Sequence, residues 1–314
     1  MLRLPDSWVW DFWLADDGER FHLFFLYASR ALHDPQARHN RASVGHAVSV
    51  DLVGWERVTD ALVRSDAPAF DDMATWTGSV VRDDDGTWVM FYTGATLTPA
   101  GNVQAIGRAT SSDLVTWTKD PGPVLEADPR WYELLADGRW HDQAFRDPWV
   151  FRHDGRWHML VTARANHGTS GRGVVAHAES TDLRRWELTA PWSEPGLGFE
   201  QLEVVQTFER DGRHWLVFNC LAAELTPARR DAGATGGVWV APAASPVGPY
   251  DLAAAYQLTG PEAYVGKLVV DRSGGLVLLA FANEGPDGFV GDILDPLPVV
   301  ELDGRLSVVR ANPA

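Results

Sequence analysis

The sequence predicts an all-β protein built as a single five-bladed β-propeller, with four short antiparallel strands in each blade. Two motifs that recur in the same phase along the chain support this prediction. The chain also lacks any long stretch with the 3.6-residue period of a helix. Repeated four-stranded units of this length are typical of propellers, because radial repetition leaves only short and protected sheet edges.

The first motif is a tight turn followed by an alternating apolar strand. The turn is Asp-Gly in four copies and Gly-Gly in a weaker fifth copy. The turn glycines lie 57 to 69 residues apart, which is enough chain for four strands and their turns; they are Gly18, Gly86, Gly155, Gly212 and Gly274. Five copies predict five blades within one domain, residues 1–314, with no C-terminal β-sandwich.

The second motif is Asp-Leu-x-x-Trp. It starts at Asp51, Asp113 and Asp182, and Asp251-Leu252 is a degenerate copy without the tryptophan. We expect this motif to form the turn between the third strand of a blade and its outermost strand. The tryptophan is then expected to pack between neighbouring sheets.

Composition and charge exclude several classes of partner. The formal net charge is −16 over 314 residues, so nucleic acid and an anionic membrane surface are not expected as partners. No run of about 18 apolar residues is present to span a membrane. Because the N-terminal residues do not resemble a signal peptide and Cys220 is the single cysteine, the sequence predicts a cytoplasmic protein. Assembly into a homo-oligomer is left open.

In a propeller the first strand of each blade lines the central channel, and here this is the strand before each turn glycine. Four of these strands carry a polar residue seven to nine positions before the glycine: Asp11, Ser79, Asp147 and Glu203. Equivalent positions in successive blades point at the same axis, so we expect the three carboxylates to meet in one pocket. Ionisable groups inside apolar strands are unfavourable unless paired or functional. The three acids are therefore candidate catalytic residues.

The same segments resemble motifs of glycoside hydrolase family 32, the invertases and fructanases. Trp8–Asp11 is similar to the family's Trp-Met-Asn-Asp-Pro motif, and Trp76–Ser79 is similar to its Trp-Ser-Gly-Ser segment. Arg146–Pro148 matches its Arg-Asp-Pro motif, and Glu203 stands where the family has Glu-Cys. Gly45–Trp55 resembles its Gly-His-Ala-x-Ser-x-Asp-Leu-x-x-Trp stretch. The resemblance covers nearly the whole chain, and families 43 and 68 share the clan-level fold and a similar acidic triad.

The resemblance implies a retaining double-displacement hydrolysis. Asp11 would be the nucleophile, Glu203 the acid/base, and Asp147 would hold two sugar hydroxyls. Carboxyls that act in this way lie roughly 5 to 5.5 Å apart, against 6.5 to 9.5 Å for inversion. Glu200, three residues before Glu203, is a rival for the acid/base role.

The sequence departs from the family motifs on both sides of Asp11, where Trp10 and Phe12 replace Asn and Pro, and this leaves the substrate open. After Glu203, Val204 and Val205 replace Cys and Pro, so a different tuning of the acid/base is expected. The preferred function is a β-fructofuranosidase that acts on sucrose or short fructosides. The alternatives are an arabinofuranosidase or xylosidase of the family 43 type, a fructosyltransferase, and a carbohydrate-binding propeller without catalysis.

Other residues are predicted to surround a small-molecule sugar. Two insertions, residues 31–41 and 126–143, are expected to shape the mouth of the pocket. The histidines show no metal-ligand spacing, so we predict no metal and no cofactor. The candidate substrate-binding residues are Arg146, Trp76, Ser79, Trp10, Tyr264 and Lys267.

Overall fold

The computed structural model describes residues 1–309 and contains five sheets, almost entirely antiparallel, that follow one another along the chain. This arrangement confirms the predicted five-bladed propeller. Residues 310–314 of the predicted domain lie outside the described residues. Within residues 1–309, no helix has both the length and the apolar character needed to cross a membrane.

Each blade begins with its innermost strand. Blade I contains β1 (Ser7–Asp16), β2 (Phe21–Ser29), β3 (Ser43–Ser49) and β4 (Glu56–Arg57). Blade II contains β5 (Ala74–Arg82), β6 (Trp88–Thr98), β7 (Gly101–Ser111) and β8 (Thr118–Lys119), with β9 (Asp142–Gln143) paired in parallel to β7. Blade III contains β10 (Phe145–His153), β11 (Arg156–Arg164), β12 (Gly173–Ser180) and β13 (Glu187–Leu188). Blade IV contains β14 (Glu203–Arg210), β15 (Arg213–Cys220), β16 (Gly237–Ala243) and β17 (Tyr256–Gln257). Blade V contains β18 (Ala263–Val270), β19 (Leu276–Gly285), β20 (Gly288–Ile293), β21 (Leu297–Leu302) and β22 (Arg305–Val308).

Helical structure is limited to short segments between strands. The one α-helix of the described residues, α1 (Pro227–Asp231), starts at a proline, whose fixed φ suits the first helical position. The remaining segments are 3₁₀ turns: Arg30–Leu32, Pro35–Arg41, Leu135–Asp137, Ala222–Glu224 and Leu252–Ala254.

The predicted Asp-Gly turns join the two innermost strands of a blade. In blade III, Asp154 and Gly155 have φ values of 47° and 78°, and in blade IV, Asp211 and Gly212 have 51° and 73°. Two-residue hairpin loops with positive φ at both positions match the right-handed twist of the strands they join. The strand before each turn glycine is therefore the inner strand, as predicted.

The Asp-Leu-x-x-Trp motif forms the turn between the third and fourth strands. In blade II, Asp113 Oδ1 accepts hydrogen bonds from the amides of Val115 (2.9 Å) and Thr116 (2.8 Å). Leu114 adopts a positive φ of 64° and is 1% exposed. The copies at residues 51 and 182 make the same pair of bonds. The motif therefore folds the turn and inserts its leucine into the core.

Two of the three tryptophans of this motif make ring contacts between blades, as predicted. The Trp117 ring of blade II meets Phe24 of blade I edge-on, with ring centroids 5.6 Å apart. The Trp186 ring of blade III meets Phe91 of blade II in the same way at 5.3 Å. The four clusters that form the described core likewise combine residues of neighbouring blades. The buried apolar side chains thus pack between neighbouring sheets.

The weaker fifth repeat forms a full blade that closes on the start of the chain. Strands β20 and β21 pair with different halves of β19. Leu2 exchanges two backbone hydrogen bonds of 3.0 Å with Ile293 of β20. Next to this pair, Arg3 Nε donates to Asp292 Oδ2 at 2.8 Å. The residues before β1 therefore join blade V to blade I.

Each inner strand has a β-bulge at the same level of the channel. A bulge places an extra residue in one strand and re-aims the side chains beside it. Three bulge residues, Asp147, Val204 and Val265, have positive φ values of 60°, 48° and 50°. The register shifts lie between Trp10 and Phe12, Trp76 and Gly78, Arg146 and Trp149, Glu203 and Gln206, and Tyr264 and Lys267.

Bulge amides in blades III, IV and V are bound by the preceding blade. The bulge leaves this amide without a partner in its own sheet. A buried polar side chain on the second strand of the preceding blade accepts its hydrogen bond. The Asp147 amide donates to Thr93 Oγ1 (2.8 Å), the Val204 amide to Thr162 Oγ1 (3.3 Å) and the Gly266 amide to Asn219 Oδ1 (3.0 Å). These bonds fix the inner strands relative to one another.

We predict that Leu114→Ala lowers the free energy of unfolding by about 2 to 4 kcal/mol, because it leaves a cavity between blades. Chemical denaturation monitored by tryptophan fluorescence measures the effect. Leu97→Ala is the matched control, since Leu97 is 65% exposed and its truncation should change stability by less than about 0.5 kcal/mol. Equal losses in the two variants would contradict this account of the turn.

Candidate active site

A cavity of about 660 Å³ lies among the first halves of the inner strands. All five blades contribute to its wall, and the three predicted acids meet there although they are far apart in sequence. The inner-strand residues that line it are Trp10, Asp11, Trp76, Thr77, Arg146, Asp147, Glu203 and Tyr264.

Asp11 lies at the bulge of β1, and its Oδ2 accepts a hydrogen bond of 2.7 Å from Thr77 Oγ1. Burial raises the pKa of Asp11 to about 6, although the bond from Thr77 opposes the shift. The nearby charge of Glu203 raises the pKa further. At neutral pH the group is mostly ionised, so a carboxylate faces the cavity.

Asp147 is held by two threonines at a position where its backbone has a positive φ of 60°. Its amide donates to Thr93, and its Oδ2 accepts a hydrogen bond of 3.0 Å from Thr162 Oγ1. Burial raises the pKa of Asp147 to about 7; the Arg146 guanidinium opposes this shift, and the two neighbouring carboxylates add to it. Asp147 therefore titrates near neutrality.

Arg146 connects the carboxylates of the site. Its guanidinium donates to Glu203 Oε1, with Nε 3.5 Å from Asp147 Oδ2 and Nη1 3.7 Å from Asp142 Oδ2. Although burial opposes the charge, these three carboxylates raise the pKa of Arg146. The Tyr264 hydroxyl donates to Glu203 Oε2 at 2.5 Å, so both oxygens of Glu203 accept hydrogen bonds.

Two predicted substrate-binding residues lie elsewhere. The Ser79 side chain is 2% exposed and accepts the Val150 amide at 3.1 Å, so it joins blades II and III. Counting back from the turn glycine assumed equal turns, but Gly18 lies two residues after the end of β1 and Gly86 lies four residues after the end of β5. The residue that corresponds to Asp11 is therefore Thr77. Lys267 is also absent from the cavity wall, because it follows the bulge of β18 and lines a second cavity of about 280 Å³.

The two predicted tryptophans differ in exposure. Trp10 is only 1% exposed; its ring meets His39 edge-on at 6.0 Å, and the Arg38 guanidinium lies 5.3 Å from its centroid. Trp76 is partly exposed, and its Nε1 donates to the His39 carbonyl at 2.7 Å. Trp76 is thus better placed than Trp10 to present a ring face to a ligand.

Both predicted insertions contribute to the cavity wall. Residues 126–143 supply His141 and Asp142. In residues 31–41, the Arg38 guanidinium lies 3.8 Å from the Phe289 ring centroid of blade V and helps to close the rim. Burial lowers the pKa of Arg38 to about 10, so it remains a cation near Asp11. Sequence reasoning identified these loops but missed Arg38, which no motif singles out.

Glu224 is a further carboxylate that the sequence did not indicate. It ends the 3₁₀ turn after β15 and lines the cavity, and its Oε2 is buried without a hydrogen-bond partner among the described residues. Burial, together with the charge of Glu203, raises the pKa of Glu224 to about 8. Burial and the neighbouring carboxylate therefore favour the protonated form of Glu224.

Glu200, the rival for the acid/base role, is occupied by structural bonds. Its side chain accepts the Gly171 amide at 2.6 Å and the Arg172 amide at 3.2 Å, and it pairs with Arg164 at 3.1 Å. Although burial opposes the shift, these bonds lower the pKa of Glu200. Glu200 does not line the cavity. Its bonds tie the loop before β14 to blade III.

One group of side chains in residues 1–309 has metal-ligand spacing: His158, His177 and Glu179, with ligand atoms within 4.8 Å of one another. It lies on β11 and β12, outside the cavity. His158 Nδ1 is 3.1 Å from His177 Nε2, and Glu179 Oε2 is 2.8 Å from Arg156 Nε. These groups already have protein partners, and the absence of a bound metal stays a prediction.

Residues 14–284 match the model of the glycosyl hydrolases family 32 N-terminal domain. The chain belongs to glycosyl hydrolase family 32. Among curated relatives, the raffinose invertase of Escherichia coli is 28% identical over 306 residues, which are 91% of this chain and 58% of that protein. The Bacillus subtilis sucrose-6-phosphate hydrolase is 30% identical over 58% of this chain and 33% of its own length. The chain therefore spans one third to somewhat over half of the length of these relatives.

Solved structures support the same architecture. The Bombyx mori GH32 beta-fructofuranosidase superposes with a TM-score of 0.76 at 20% identity, over 99% of this chain and 64% of that one. The inulosucrase of Halalkalicoccus jeotgali superposes with a TM-score of 0.78 at 22% identity, over 98% of this chain and 90% of that one. At these identities the structural comparisons support the propeller fold of this chain and no more.

We predict that Thr77→Val raises the pKa of Asp11 by about one unit, because the ionised carboxylate loses its hydroxyl donor. Titration of the ¹³C-labelled carboxyl carbon by NMR measures this shift. Ser79→Ala removes the neighbouring hydroxyl of the same strand and should leave the Asp11 titration unchanged. An equal shift in both variants would contradict the assignment of Thr77 to the site.

Proposed function

We propose that the protein is a retaining glycoside hydrolase that cleaves a β-fructofuranoside, with sucrose or a short fructoside as substrate. The observation that carries the proposal is the meeting of Asp11, Asp147 and Glu203 in one cavity of a family 32 chain. The names of the relatives, raffinose invertase and sucrose-6-phosphate hydrolase, support a sucrose-like substrate. A cavity of about 660 Å³ is large enough for a small sugar.

Asp11 acts as the nucleophile in this proposal. It attacks the anomeric carbon of the fructosyl unit and forms a covalent ester as the bond to the leaving oxygen breaks. Its pKa of about 6 leaves it ionised at neutral pH, and Thr77 holds one oxygen so that the other is free to attack. A water molecule later cleaves the ester and restores the carboxylate.

Glu203 acts as the acid/base. It protonates the leaving oxygen in the first step and takes a proton from the attacking water in the second. Arg146 and Tyr264 bind its two oxygens, so the carboxyl group is oriented before substrate arrives.

Asp147 and the aromatic wall position the sugar. Asp147 accepts hydrogen bonds from two fructosyl hydroxyls, and these bonds strengthen as positive charge develops on the ring. Trp76 offers its ring to the apolar face of the sugar. Arg146 contacts both Asp147 and Glu203, so it fixes the distance between the sugar-binding carboxylate and the acid/base.

Fructosyl transfer is the second candidate function. The likeness to an inulosucrase over 98% of the chain supports a fold that serves transfer as well as hydrolysis, because a sugar hydroxyl and water compete for the same ester. The family assignment disfavours an arabinofuranosidase or xylosidase. A binding propeller has no need of the converging acids. The cytoplasmic location and a homo-oligomeric state remain predictions.

We expect the protein to release fructose from sucrose and short inulin fragments and to leave aryl arabinofuranosides intact. Chromatography of the products separates hydrolysis from transfer, because transfer yields longer fructosides. NMR recorded before mutarotation should detect β-fructofuranose as the first product, as retention requires. Release of the α-anomer, or cleavage of arabinofuranosides alone, would contradict the proposal.

We expect Asp11→Asn and Glu203→Gln each to lower kcat for sucrose by about 10³-fold or more, because each removes a group that takes part in bond making or proton transfer. Glu200→Gln is the matched control for the acid/base; it should keep kcat within a few-fold while lowering Tm. If Glu200→Gln lost activity and Glu203→Gln kept it, the two roles would be reversed.

A further inference from the structure

Lys267 is a buried cation beneath the site, on the inner strand of blade V. Its side chain is 3% exposed, and its Nζ donates to the carbonyls of Val204 at 3.3 Å and Val205 at 3.2 Å. The ammonium also lies 5.1 Å from the ring centroid of Trp149. Each of these partners belongs to an inner strand, so Lys267 joins blade V to blades III and IV.

The carbonyls that Lys267 binds belong to the bulge that follows Glu203. On the other side of this bulge, the Val204 amide donates to Thr162 Oγ1 at 3.3 Å and to Asp147 Oδ2 at 3.4 Å. The bulge has a positive φ at Val204, a conformation that valine rarely adopts without support. The backbone of the bulge after Glu203 is therefore bound by Lys267 at its carbonyls and by Asp147 at the Val204 amide.

The two aspartates share their nearest cation with other carboxylates. Arg146 is shared among Asp142, Asp147 and Glu203. Asp11 is influenced by Glu203, Arg38 and Arg146, and Asp147 by Arg146, Glu203 and Asp11. Burial lowers the pKa of Lys267 to about 7, while the charges of Asp147 and Asp11 oppose the loss of its proton. Below neutral pH, where Asp11 titrates, Lys267 is thus positively charged.

We propose that Lys267 is a positioning residue: held by the carbonyls of Val204 and Val205, its ammonium fixes the bulge that presents Glu203 and stabilises the ionised forms of Asp11 and Asp147. This role rests on the proposed function of the same site. Lys267 does not touch the substrate, because it lines the second cavity of about 280 Å³ and is absent from the first. It acts through the acids of the site.

The test compares Lys267→Met, which keeps the apolar stem, with Lys267→Arg, which keeps the charge. Gln206→Met is the matched control: Gln206 lines the same second cavity and joins β14 to β18 through the amide and carbonyl of Leu268, but it carries no charge. For each variant, kcat and KM for sucrose are measured against pH, and Tm is recorded.

Lys267→Met should lower kcat at neutral pH about tenfold or more and leave KM within about twofold. Removing a cation raises the pKa of nearby carboxyls, so the acid limb of kcat/KM should move to higher pH by about half a unit to one unit. Lys267→Arg should keep the limb in place, and so should Gln206→Met, even with a lower Tm. An unmoved limb in Lys267→Met, with Tm loss equal to that of Gln206→Met, would overturn the proposal.

A readout independent of activity separates this proposal from the proposed function. In ¹³C NMR titrations, the carboxyl carbons of Asp11 and Asp147 should titrate at higher pH in Lys267→Met than in the unmodified protein. Inactivity of the unmodified protein on sucrose would refute the function and leave this shift measurable. Unchanged titrations would refute the role of Lys267, whatever the substrate. If Lys267→Met does not fold, Lys267→Gln replaces it with the same expectations.

Discussion

The hydrogen bond from a bulge amide to the preceding blade is the interaction on which the site depends. A regular strand sends neighbouring side chains to opposite faces, so Arg146 and Asp147 would not both line the cavity without the bulge. The bulge brings them to one side but leaves an amide unpaired in its own sheet. Thr93 accepts that amide at 2.8 Å and so ties the position of Asp147 to blade II. The relative positions of the acids are therefore set by contacts between blades and not by the structure of any single blade.

The same geometry places more carboxylates than cations in a buried space. Burial and mutual repulsion disfavour full ionisation, and the pKa values of Asp11, Asp147 and Glu224 rise to about 6, 7 and 8. Arg146 offsets part of this repulsion, since it contacts three carboxylates at once. The cluster thus favours protonated forms more than free carboxylates do, and acid/base catalysis needs groups that exchange protons near neutral pH.

Much of the fold was predictable because its signals are local. An Asp-Gly turn needs positive φ values that few other pairs adopt, and the motif at Asp113 folds its turn with hydrogen bonds inside a few residues. The bulges have no comparable local signal. Counting from the turn glycine equated Ser79 with Asp11, whereas Thr77 occupies that place, because Gly86 lies two residues further beyond its strand than Gly18 does. Arg38 was missed because it joins the cavity through Phe289, which is remote in sequence.

By itself, the sequence determined the number of blades, the inner strand of each blade and the three acids that face the channel, because these follow from repeated turns and from charges inside apolar strands. Only the tertiary structure decided which neighbours hold those acids. It turned Ser79 toward an amide of blade III and placed Lys267 beneath the site. The physical reason is that a one-residue bulge changes which side chains face the cavity, and the energy that supports each bulge comes from hydrogen bonds and packing between blades.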